Sequence, residues 1–333
     1  MKRVFALMAM AAMLVVSCDK TPQGNDPSGG EEQPGGGDQP GGGDQPGPDV
    51  PDPNKEIDVA KDALVVWLPL DDIGTVKVGG LILDNRGGSS NANFVEGRRG
   101  KCYQGTAGSY LQFALPADSP VKSLKSMSVS MWLKHAEVSG TEVPMVFQIT
   151  GGDDPVWGNF ALTSDRTNGS AGWLTWKVQW QMGTYGHLWK ATDQMYFDED
   201  LGVDVNPWAN AFPAGRWNHI IWCYDNAVTV KDEEGHDITV AQYHCYVNGV
   251  DVTPESHVWC MRSEKDSFGD LGFIDAQKIL IGGWDAKVNG GRTDAWMGDF
   301  SRGQVDEIRV FSRSLTAAEA KALFDAEVDH MND

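Results

Sequence analysis

Short runs in which apolar and polar residues alternate recur from residue 64 to residue 311. The clearest is Gly172–Met182, where Trp176 and Trp180 share one side of the run and Lys177 and Gln179 share the other. A period of two is typical of a strand with one buried face. The other runs of this type are Leu64–Leu70, Tyr110–Ala114, Met127–Lys134, Val143–Ile149, Asn218–Tyr224, Tyr243–Val247, Lys278–Ile281 and Val305–Phe311. So many strands, separated by turns rich in Gly and Asn, predict an all-β sandwich.

The last of these runs carries a carboxylate where the pattern expects an apolar residue. In Val305–Phe311, Asp306 shares parity with Ile308 and Val310, so the pattern places it at one end of the apolar face. A carboxylate in that position needs hydrogen bonds, a cationic partner or a metal ion.

A short helix is predicted directly after this strand. Thr316 and Glu319 form the pattern of a capping box, in which each side chain accepts a hydrogen bond from the backbone N–H of the other residue. Ala, Glu and Lys then favour a helix down to Phe324.

The first seventeen residues combine a basic start with an apolar run that is too short to span a membrane comfortably. They lead into Leu14–Cys18, which resembles a bacterial lipobox, so residues 1–17 are expected to be removed and Cys18 to be acylated. The alternative is an ordinary signal peptide that ends near a cysteine. Lipid on Cys18 anchors a chain to a membrane without a spanning segment.

Residues 18–58 are predicted to form a flexible tether. Gln33–Asp38 and Gln39–Asp44 repeat the same hexamer of Gln, Pro, Gly and Asp. Such a composition cannot bury enough surface to offset the entropy lost on ordering. The remaining part, residues 59–333, has the length of one large β domain.

The predicted domain is acidic. The chain has a net charge of −20, of which the tether supplies −8 and the leader +2, so residues 59–333 carry −14. This charge makes nucleic acid and anionic membrane surfaces unsuitable as partners and favours neutral ligands, cations or basic surfaces.

Four cysteines remain in the domain: Cys102, Cys223, Cys245 and Cys260. Export permits disulfides, and four cysteines allow three pairings. Cys223 and Cys245 lie in strand-like runs that can be neighbours, so a bridge between them and buried free thiols both stay open. The spacing of cysteines and histidines does not fit a zinc site.

Six segments form a recognisable series along the domain. They are Ala63–Asp71, Ser128–Lys134, Arg216–Ile220, Tyr246–Gly249, Ile279–Gly283 and Val305–Phe311. In order and spacing they resemble the laminin-G-like domains of the concanavalin-A-like lectin and glucanase superfamily, over residues 62–327. The resemblance implies a jelly-roll β-sandwich of two antiparallel sheets with a short C-terminal helix.

The same superfamily contains glucanases and lyases, so catalysis has to be considered. Retaining glycosidases use two carboxylates about 5–5.5 Å apart. The nearest string, Glu56–Lys61, lacks the second Glu and lies where the tether meets the domain. Arg262–Glu264 lacks the partner motifs of an alginate lyase. The sequence therefore gives no positive sign of an enzyme, and no catalytic residue is predicted.

Tryptophan is the most informative residue type, with thirteen in the chain. Those in strand runs are expected in the core: Trp67, Trp132, Trp176, Trp180, Trp217 and Trp222. Others lie in two long loops, Gly183–Gly215 and Trp284–Gly303. Because a flat indole stacks on the C–H face of a sugar ring, these loops are the predicted glycan site; the alternative is that the aromatics only pin the loops to the sandwich. The predicted ligand-binding residues are Trp189, Tyr196, Trp208, Trp284, Arg292, Asp294 and Trp296.

The carboxylate of Asp306 has a candidate partner in Asp71. Asp71 ends the first strand run, and in the resembled superfamily the first and last strands usually lie near one another. Asp71 and Asp306, with backbone carbonyls and with Asp72 or Asp84 as further candidates, are the predicted ligands of one structural calcium ion. The alternative is a pair of hydrogen-bonded turn acids.

These features predict a lipid-anchored protein of the Gram-negative outer membrane, exposed at the cell surface, whose domain binds carbohydrate without catalysis. The expected role is capture of polysaccharide, with protein partners in a surface glycan-uptake complex. The alternatives are a protein-binding or adhesion module and, after that, a glycoside hydrolase or lyase with an unrecognised site.

Overall fold

Strands dominate the part of the chain that the structure, a computed structural model, describes. The described residues are 56–84, 91–136, 142–152, 154–165, 175–191, 196–198, 203–205, 212–232, 234–263 and 266–328. Cys18, the tether up to residue 55 and Trp208 lie outside them.

The strands and helices have the following bounds. The strands are β1 (Leu64–Leu68), β2 (Ile82–Leu83), β3 (Asn93–Glu96), β4 (Lys101–Gln104), β5 (Leu111–Ala114), β6 (Met127–His135), β7 (Met145–Gly151), β8 (Phe160–Asp165), β9 (Thr175–Gln181), β10 (His187–Ala191), β11 (Tyr196–Asp198), β12 (Val203–Val205), β13 (Asn218–Lys231), β14 (Asp237–Val247), β15 (Val250–Asp251), β16 (Met261–Ser263), β17 (Asp266–Ser267), β18 (Ala276–Ile281) and β19 (Gly303–Phe311). The α-helices are α1 (Glu255–Val258), α2 (Asp285–Val288) and α3 (Ala317–Val328), and 3₁₀ turns lie at Pro120–Ser123 and Gly183–Tyr185. Within the described residues, no helix has the length and apolar character needed to cross a membrane.

Most of the strands belong to two antiparallel sheets. The eight-stranded sheet has the order β15-β14-β13-β6-β19-β4-β3, and β1 pairs with the second half of β19. The seven-stranded sheet has the order β10-β9-β8-β7-β18-β5-β2. The predicted all-β jelly-roll sandwich of two antiparallel sheets with a short C-terminal helix is confirmed.

The main core lies between the two sheets. Trp176 and Trp180 belong to it from β9, and Trp222 belongs to it from β13. The ring centroids of Trp176 and Trp222 are 6.5 Å apart in an edge-on arrangement, and Trp180 meets Tyr243 edge-on at 5.6 Å. Five of the six tryptophans predicted to be buried are buried, whereas Trp217 is only half-buried.

The last strand, β19, departs from the predicted alternation at one residue. Its register against β6 shifts between Asp306 and Arg309, and Glu307 in between has a φ of 53°. Asp306 is opposite Trp132 and Arg309 is opposite Ser130, two positions that alternate with the core residues of β6. The prediction that Asp306 lies on the apolar face is therefore wrong, because a β-bulge adds one residue and reverses the face.

The outer face of the eight-stranded sheet, which we call the closed face, is covered by α3 and by the turn between β3 and β4. The helix begins with the predicted capping box: Thr316 N–H donates to Glu319 Oε2 at 2.9 Å, and Glu319 N–H donates to Thr316 Oγ1 at 3.2 Å. Further along the helix, Phe324 stacks on Trp132 at 5.8 Å. The helix therefore buries an aromatic residue that points away from the main core.

Buried acids satisfy the indole N–H groups of the closed face. Trp67 Nε1–H donates to Glu307 Oε2 at 2.8 Å, and Trp132 Nε1–H donates to Glu327 Oε2 at 2.5 Å. Arg309 donates to both carboxylates. These five side chains are at most 5% exposed, and burial raises the pKa of Glu307 to about 7 against the lowering effect of Arg309. Charges this deep are tolerated because each is paired.

The four cysteines of the domain are free and buried. Cys245 is opposite Trp222, one residue away from Cys223. Cys245 belongs to the main core and Cys223 to the cluster under α3, so the two thiols face opposite sides of the sheet and cannot bridge. Burial raises the pKa of Cys223 to about 11, which keeps its thiol protonated.

The segment Gly183–Gly215 is not a single loop. Within it, β10 pairs with β9 and becomes an edge strand of the seven-stranded sheet. Further on, β11 and β12 form a separate two-stranded ribbon. Trp189 therefore lies on a strand whose backbone is fixed by its neighbour.

Candidate functional site

The outer face of the seven-stranded sheet, which we call the open face, carries polar side chains in register across two strands. On β9, Lys177, Gln179 and Gln181 alternate with residues of the main core. On β10, Trp189 is opposite Gln179 and His187 is opposite Gln181. Residues directly opposite one another in an antiparallel pair share a face. All five side chains therefore lie on the open face.

An aromatic cluster covers part of the open face. Trp157 stacks on Trp296 at 5.8 Å, and both rings meet Trp284 edge-on, at 5.2 and 5.0 Å. The Lys177 ammonium lies 4.9 Å from the centroid of the Trp157 ring and 5.0 Å from that of Trp189, within the range of cation–π attraction. We call Trp157, Trp189, Trp296 and Lys177 the aromatic platform.

The platform leaves ring surface free for a ligand. Trp189 is 46% exposed, and Trp157 and Trp296 are half-buried. The two segments that were predicted to form the site are thus linked through Lys177 and Trp157. Trp284, also a predicted ligand-binding residue, is fully buried and donates Nε1–H to the Val143 carbonyl at 2.9 Å. It forms the floor of the platform and offers no surface to a ligand.

The other predicted residues do not extend the platform. Arg292 donates Nε–H to Asp294 Oδ2 at 2.7 Å in a partly exposed pair. No contact described for this pair joins it to the platform. Tyr196 lies in β11, but its side chain, like all of Trp208, is outside what the structure describes.

Two platform residues are not singled out by the sequence pattern. Trp157 lies in a short connection between β7 and β8, and Lys177 has the spacing of an ordinary solvent-facing position on a strand. The density of tryptophans between residues 157 and 208 is the one signal for Trp157. Lys177 has no such signal, because its role depends on which rings the fold brings to it.

A buried amide fixes the connection that carries Trp157. Gln148 donates Nε2–H to the Val156 carbonyl at 2.8 Å, and its Oε1 accepts from Asp285 N–H at 3.1 Å. The Asp285 carboxylate in turn accepts from Lys278 Nζ at 2.9 Å. This connection is therefore tied to the start of α2, and the Trp157 ring is positioned before a ligand arrives.

Asp71 and Asp306, the predicted calcium ligands, lie at the turn between β3 and β4 on the closed face. Asp306 Oδ2 accepts from the N–H groups of Arg98 and Arg99 at 2.8 and 3.0 Å, and Asp71 Oδ1 accepts from Lys101 N–H at 2.9 Å. Asp306 is fully buried, and its Oδ1 has no hydrogen-bond partner among the described residues.

The turn approaches both carboxylates so closely that it requires glycine. A Cβ on Gly97 would collide with Asp306 Oδ2, and a Cβ on Gly100, which has a φ of +70°, would collide with Asp71 Oδ1. Burial, and then the charges of Glu307 and Asp71, raise the pKa of Asp306 well above its usual value. A buried carboxylate oxygen without a partner is compatible with a bound proton and with a hard cation such as calcium.

The two further candidates for that cation are engaged by their own segments. Asp72 Oδ1 accepts from the backbone N–H groups of the turn that follows it, both at 2.8 Å. Asp84 Oδ2 accepts from Gln112 Nε2–H at 2.6 Å. Of the four acids considered for an ion, Asp71 and Asp306 are therefore the two that accept hydrogen bonds from the β3–β4 turn.

Several solved structures are similar to this chain, although no protein-family model and no curated protein matches it. The binding domain of Paraclostridial Mosquitocidal Protein 1 is 15% identical, with a TM-score of 0.48, and the match covers 80% of this chain and 53% of that chain. A structure of botulinum neurotoxin type C, whose cell entry depends on interaction with two ganglioside molecules, is 10% identical, with a TM-score of 0.49 and coverages of 80% and 52%.

A third similar structure is domain 4 of an extracellular arabinanase from Geobacillus stearothermophilus, in complex with arabinotriose. It is 18% identical, with a TM-score of 0.43, and the match covers 78% of this chain and 98% of that chain. The chain spans about half the length of the two toxin chains. These TM-scores are 0.49 or lower, so nothing about a ligand is inferred from the matches. The fold is assigned from the two sheets of the chain itself.

Proposed function

We propose that this chain is a carbohydrate-binding protein with a laminin-G-like domain, and that the aromatic platform is its glycan site. The observation that carries the proposal is Trp189, a large apolar ring that is 46% exposed although it lies on a paired strand. Trp189 does not stand alone, because the Lys177 ammonium lies against both its ring and that of the half-buried Trp157, and a contiguous exposed patch is what marks an interaction site. The apolar face of a sugar ring packs on such an indole, while the Lys177 ammonium beside it binds hydroxyl groups.

The proposal is binding without catalysis. Retaining glycosidases use two carboxylates placed about 5–5.5 Å apart across the scissile bond. The platform offers aromatic rings and an ammonium; of the described acids beside it, Asp285 is buried and paired with Lys278, and Asp154 lies on the neighbouring turn. This set supports recognition of a neutral chain.

The platform is tested by truncating the exposed ring. The mature chain with Cys18→Ser, which keeps the tether and lacks the lipid, is screened on a broad glycan array, and the best glycan is titrated by calorimetry. We expect Trp189→Ala to weaken binding at least tenfold, since stacking on one aromatic face contributes on the order of 1 kcal/mol or more. Trp217→Ala is the matched control, because Trp217 is also half-buried beside a lysine, Lys134, but on the other sheet.

Two results would overturn this function. One is a folded protein that binds no glycan on the array, in which case the protein-binding alternative takes its place. The other is equal loss of affinity in Trp189→Ala and Trp217→Ala, which would place the ligand elsewhere.

We also propose that the domain acts at the surface of a Gram-negative outer membrane, held by lipid on Cys18 and spaced from it by the tether. The support is the Leu14–Cys18 sequence and the Gly- and Pro-rich composition that follows it. Cys18→Ala is expected to remove labelling by a palmitate analogue and to release the chain from the membrane fraction. Retention and labelling that do not change would contradict the anchor.

One structural calcium ion is proposed at Asp71 and Asp306. The support is the partnerless, buried Oδ1 of Asp306 together with the glycine turn that contacts both acids. There the ion would neutralise two carboxylates and tie the β3–β4 turn to β19. The hydrogen bonds to the backbone are the competing explanation, and chelation distinguishes the two.

A further inference from the structure

A pocket adjoins the aromatic platform on the open face and is not used by it. Its cavity volume is about 230 Å³, and its lining residues are Gly151, Asp154, Gly158, Asn159, Gln181, Gly186, His187 and Ile274. Gln181 and His187 are opposite one another in the β9–β10 pair, two residues along from Gln179 and Trp189. Two residues of a strand span about 7 Å, so a ligand that stacks on Trp189 can reach the pocket.

The pocket lies where the row of side chains on β9 ends. Beyond Gln181, Gly272 N–H donates to the Gln181 carbonyl at 3.0 Å, and Gly183 N–H donates to the Gly272 carbonyl at 3.2 Å. Asn159 fixes the same crossing segment, because its Oδ1 accepts from Ile274 N–H and its Nδ2–H donates to the Ile274 carbonyl. The side chain of Ile274, which lines the pocket and is 41% exposed, therefore lies at the end of this row.

The size of the pocket limits what can enter it. Pockets for drug-sized ligands have volumes of roughly 300–1,000 Å³, and this one has about 230 Å³. This volume matches one ring-sized group better than a disaccharide. With Ile274 at its far side, the pocket favours the last residue of a chain over a residue from its middle.

The lining is rich in hydrogen-bond acceptors. His187 Nε2 lies 3.0 Å from the Gly158 carbonyl, which can only accept, so Nε2 carries a proton; the Nδ1 atom is an acceptor whenever the ring carries this proton alone. Asp154 Oδ1 is occupied by the N–H groups of Val156 and Trp157 at 2.9 and 3.1 Å. Its Oδ2 lies 3.6 Å from His187 Nε2 and has capacity to accept more hydrogen bonds. Acceptors of this kind suit hydroxyl groups and repel carboxylate or sulfate groups.

We propose that this pocket receives the terminal, uncharged, hydroxyl-bearing residue of a glycan whose preceding residues stack on Trp189. The inference rests on the proposed carbohydrate function and adds that the protein recognises chain ends. Because Asp154 Oδ1 also accepts the Trp157 N–H, the same acid lines the pocket and positions a ring of the platform, so the two form one continuous site.

The test compares chain ends with chain interiors. The probes are tetrasaccharides of the cello-, xylo-, manno- and arabino- series together with the corresponding polysaccharides, before and after partial random cleavage at constant mass. The protein is the mature chain with Cys18→Ser. We expect affinity per mass to rise as the number of ends rises. We expect His187→Ala to lower affinity for the tetrasaccharide about tenfold, as the loss of one or two hydrogen bonds to a ligand implies.

His244→Ala is the matched control. His244 is likewise a partly buried histidine beside an aspartate, with a side chain 27% exposed against 20% for His187, but it lies on β14 of the other sheet. It should leave affinity unchanged. A second measurement needs no variant: neutral monosaccharides should compete with the bound tetrasaccharide, and the corresponding uronic acids should not.

The outcomes separate this inference from the function on which it rests. If the unaltered protein binds none of these glycans, the proposed function fails as well. If binding depends on Trp189 but does not change with the number of ends, with His187→Ala or with monosaccharide, the pocket is not a chain-end site, whereas the platform stands. Competition by uronic acids as strong as that by neutral sugars would overturn the charge selectivity.

Discussion

The two outer faces of the sandwich both carry tryptophans but hold them differently. On the closed face, Trp67 and Trp132 are 5% and 3% exposed, and each donates its indole N–H to a buried carboxylate. On the open face, Trp189 is 46% exposed and lies on the edge strand β10, with the Lys177 ammonium against its ring. The same residue type is a structural element on one face and an accessible surface on the other.

The difference comes from what covers each face. The closed face has α3 over it, so the rings beneath are removed from water, and their N–H groups need internal acceptors. The acids that accept them are in turn held by Arg309. The open face has the Trp157 and Trp296 cluster over one part, while Trp189 remains at its border. A ring that is left half in water contributes little to folding, and this agrees with the binding role proposed for Trp189.

The largest expected effect is the loss of a closed-face ring. We expect Trp132→Ala to lower the free energy of unfolding by about 3–5 kcal/mol, because it empties a buried site and leaves the carboxylate of Glu327 with one donor fewer. Urea unfolding of the soluble chain measures it. A decrease in the free energy of unfolding below about 1 kcal/mol would be that of an average substitution. In that case the tryptophans of the closed face would not be more important for stability than Trp189.

A second effect follows from the buried histidine of the closed face. His219 Nε2 lies 2.8 Å from Ser130 Oγ and 3.3 Å from Glu327 Oε2. Burial lowers the pKa of His219 to about 4, although Glu327 acts in the opposite direction. Between pH 6.5 and pH 4 the unfolded chain therefore binds a proton that the folded chain does not. The free energy of unfolding should fall as the pH drops through this window, by at most about 3 kcal/mol from this group.

The variant His219→Gln isolates that contribution. Its free energy of unfolding should decline less between pH 6.5 and pH 4 than that of the unaltered protein. Burial also lowers the pKa of His135 to about 4. His135 therefore makes the same contribution to the pH dependence in both proteins. His236→Gln is the control, because the side chain of His236 is 70% exposed. If the free energy of unfolding of His219→Gln and of the unaltered protein falls equally with pH, burial on the closed face does not keep His219 unprotonated.

How far the sequence predicts the molecule can be judged from single residues. The alternation around Trp176 and Trp180 identifies β9, and the Thr316–Glu319 box identifies the start of α3, because both signals are local. The bulge at Glu307 is not predictable in this way, since its positive φ is imposed by pairing with two other strands. Because the bulge was not predicted, the sequence placed Asp306 on the wrong face of the sheet.

The candidate site shows the same division between local and long-range information. Trp189 and Trp296 can be picked out as tryptophans outside the strand runs. Lys177 and Trp157 complete the platform only after β8, β9 and β10 have come together. The burial of Trp284 also depends on packing, because nothing in its local sequence distinguishes it from Trp296. The sequence therefore identifies tryptophans that can form a site, whereas their exposure can be known only from the folded structure.

The calcium proposal predicts a third, somewhat smaller effect on the closed face. If Asp71 and Asp306 share an ion, calcium at a hundredfold excess over its Kd should raise the free energy of unfolding by about 2.7 kcal/mol. Chelation should remove that gain, and Asp71→Asn should make the protein insensitive to both. Asp325→Asn is the control, since this acid is exposed and pairs with Lys321 on α3. Identical unfolding curves in calcium and in chelator would leave backbone hydrogen bonds as the whole role of these acids.

The smallest expected effect on stability is that of Trp189→Ala, and it is the one that separates the faces most sharply. Much of this ring is already in water, and its backbone is held by β9 whatever the side chain, so truncation should change the free energy of unfolding by no more than about 0.5–1 kcal/mol. The lost contact with Lys177 is a single cation–π interaction near the surface, which is worth about that much. Urea unfolding of Trp189→Ala and Trp132→Ala is measured side by side. Both variants remove an indole ring, so they differ only in the face from which the ring is removed. A loss for Trp189→Ala as large as that for Trp132→Ala would mean that the open face is also held together by its tryptophans. In that case reduced glycan binding by Trp189→Ala would no longer identify a contact with the ligand.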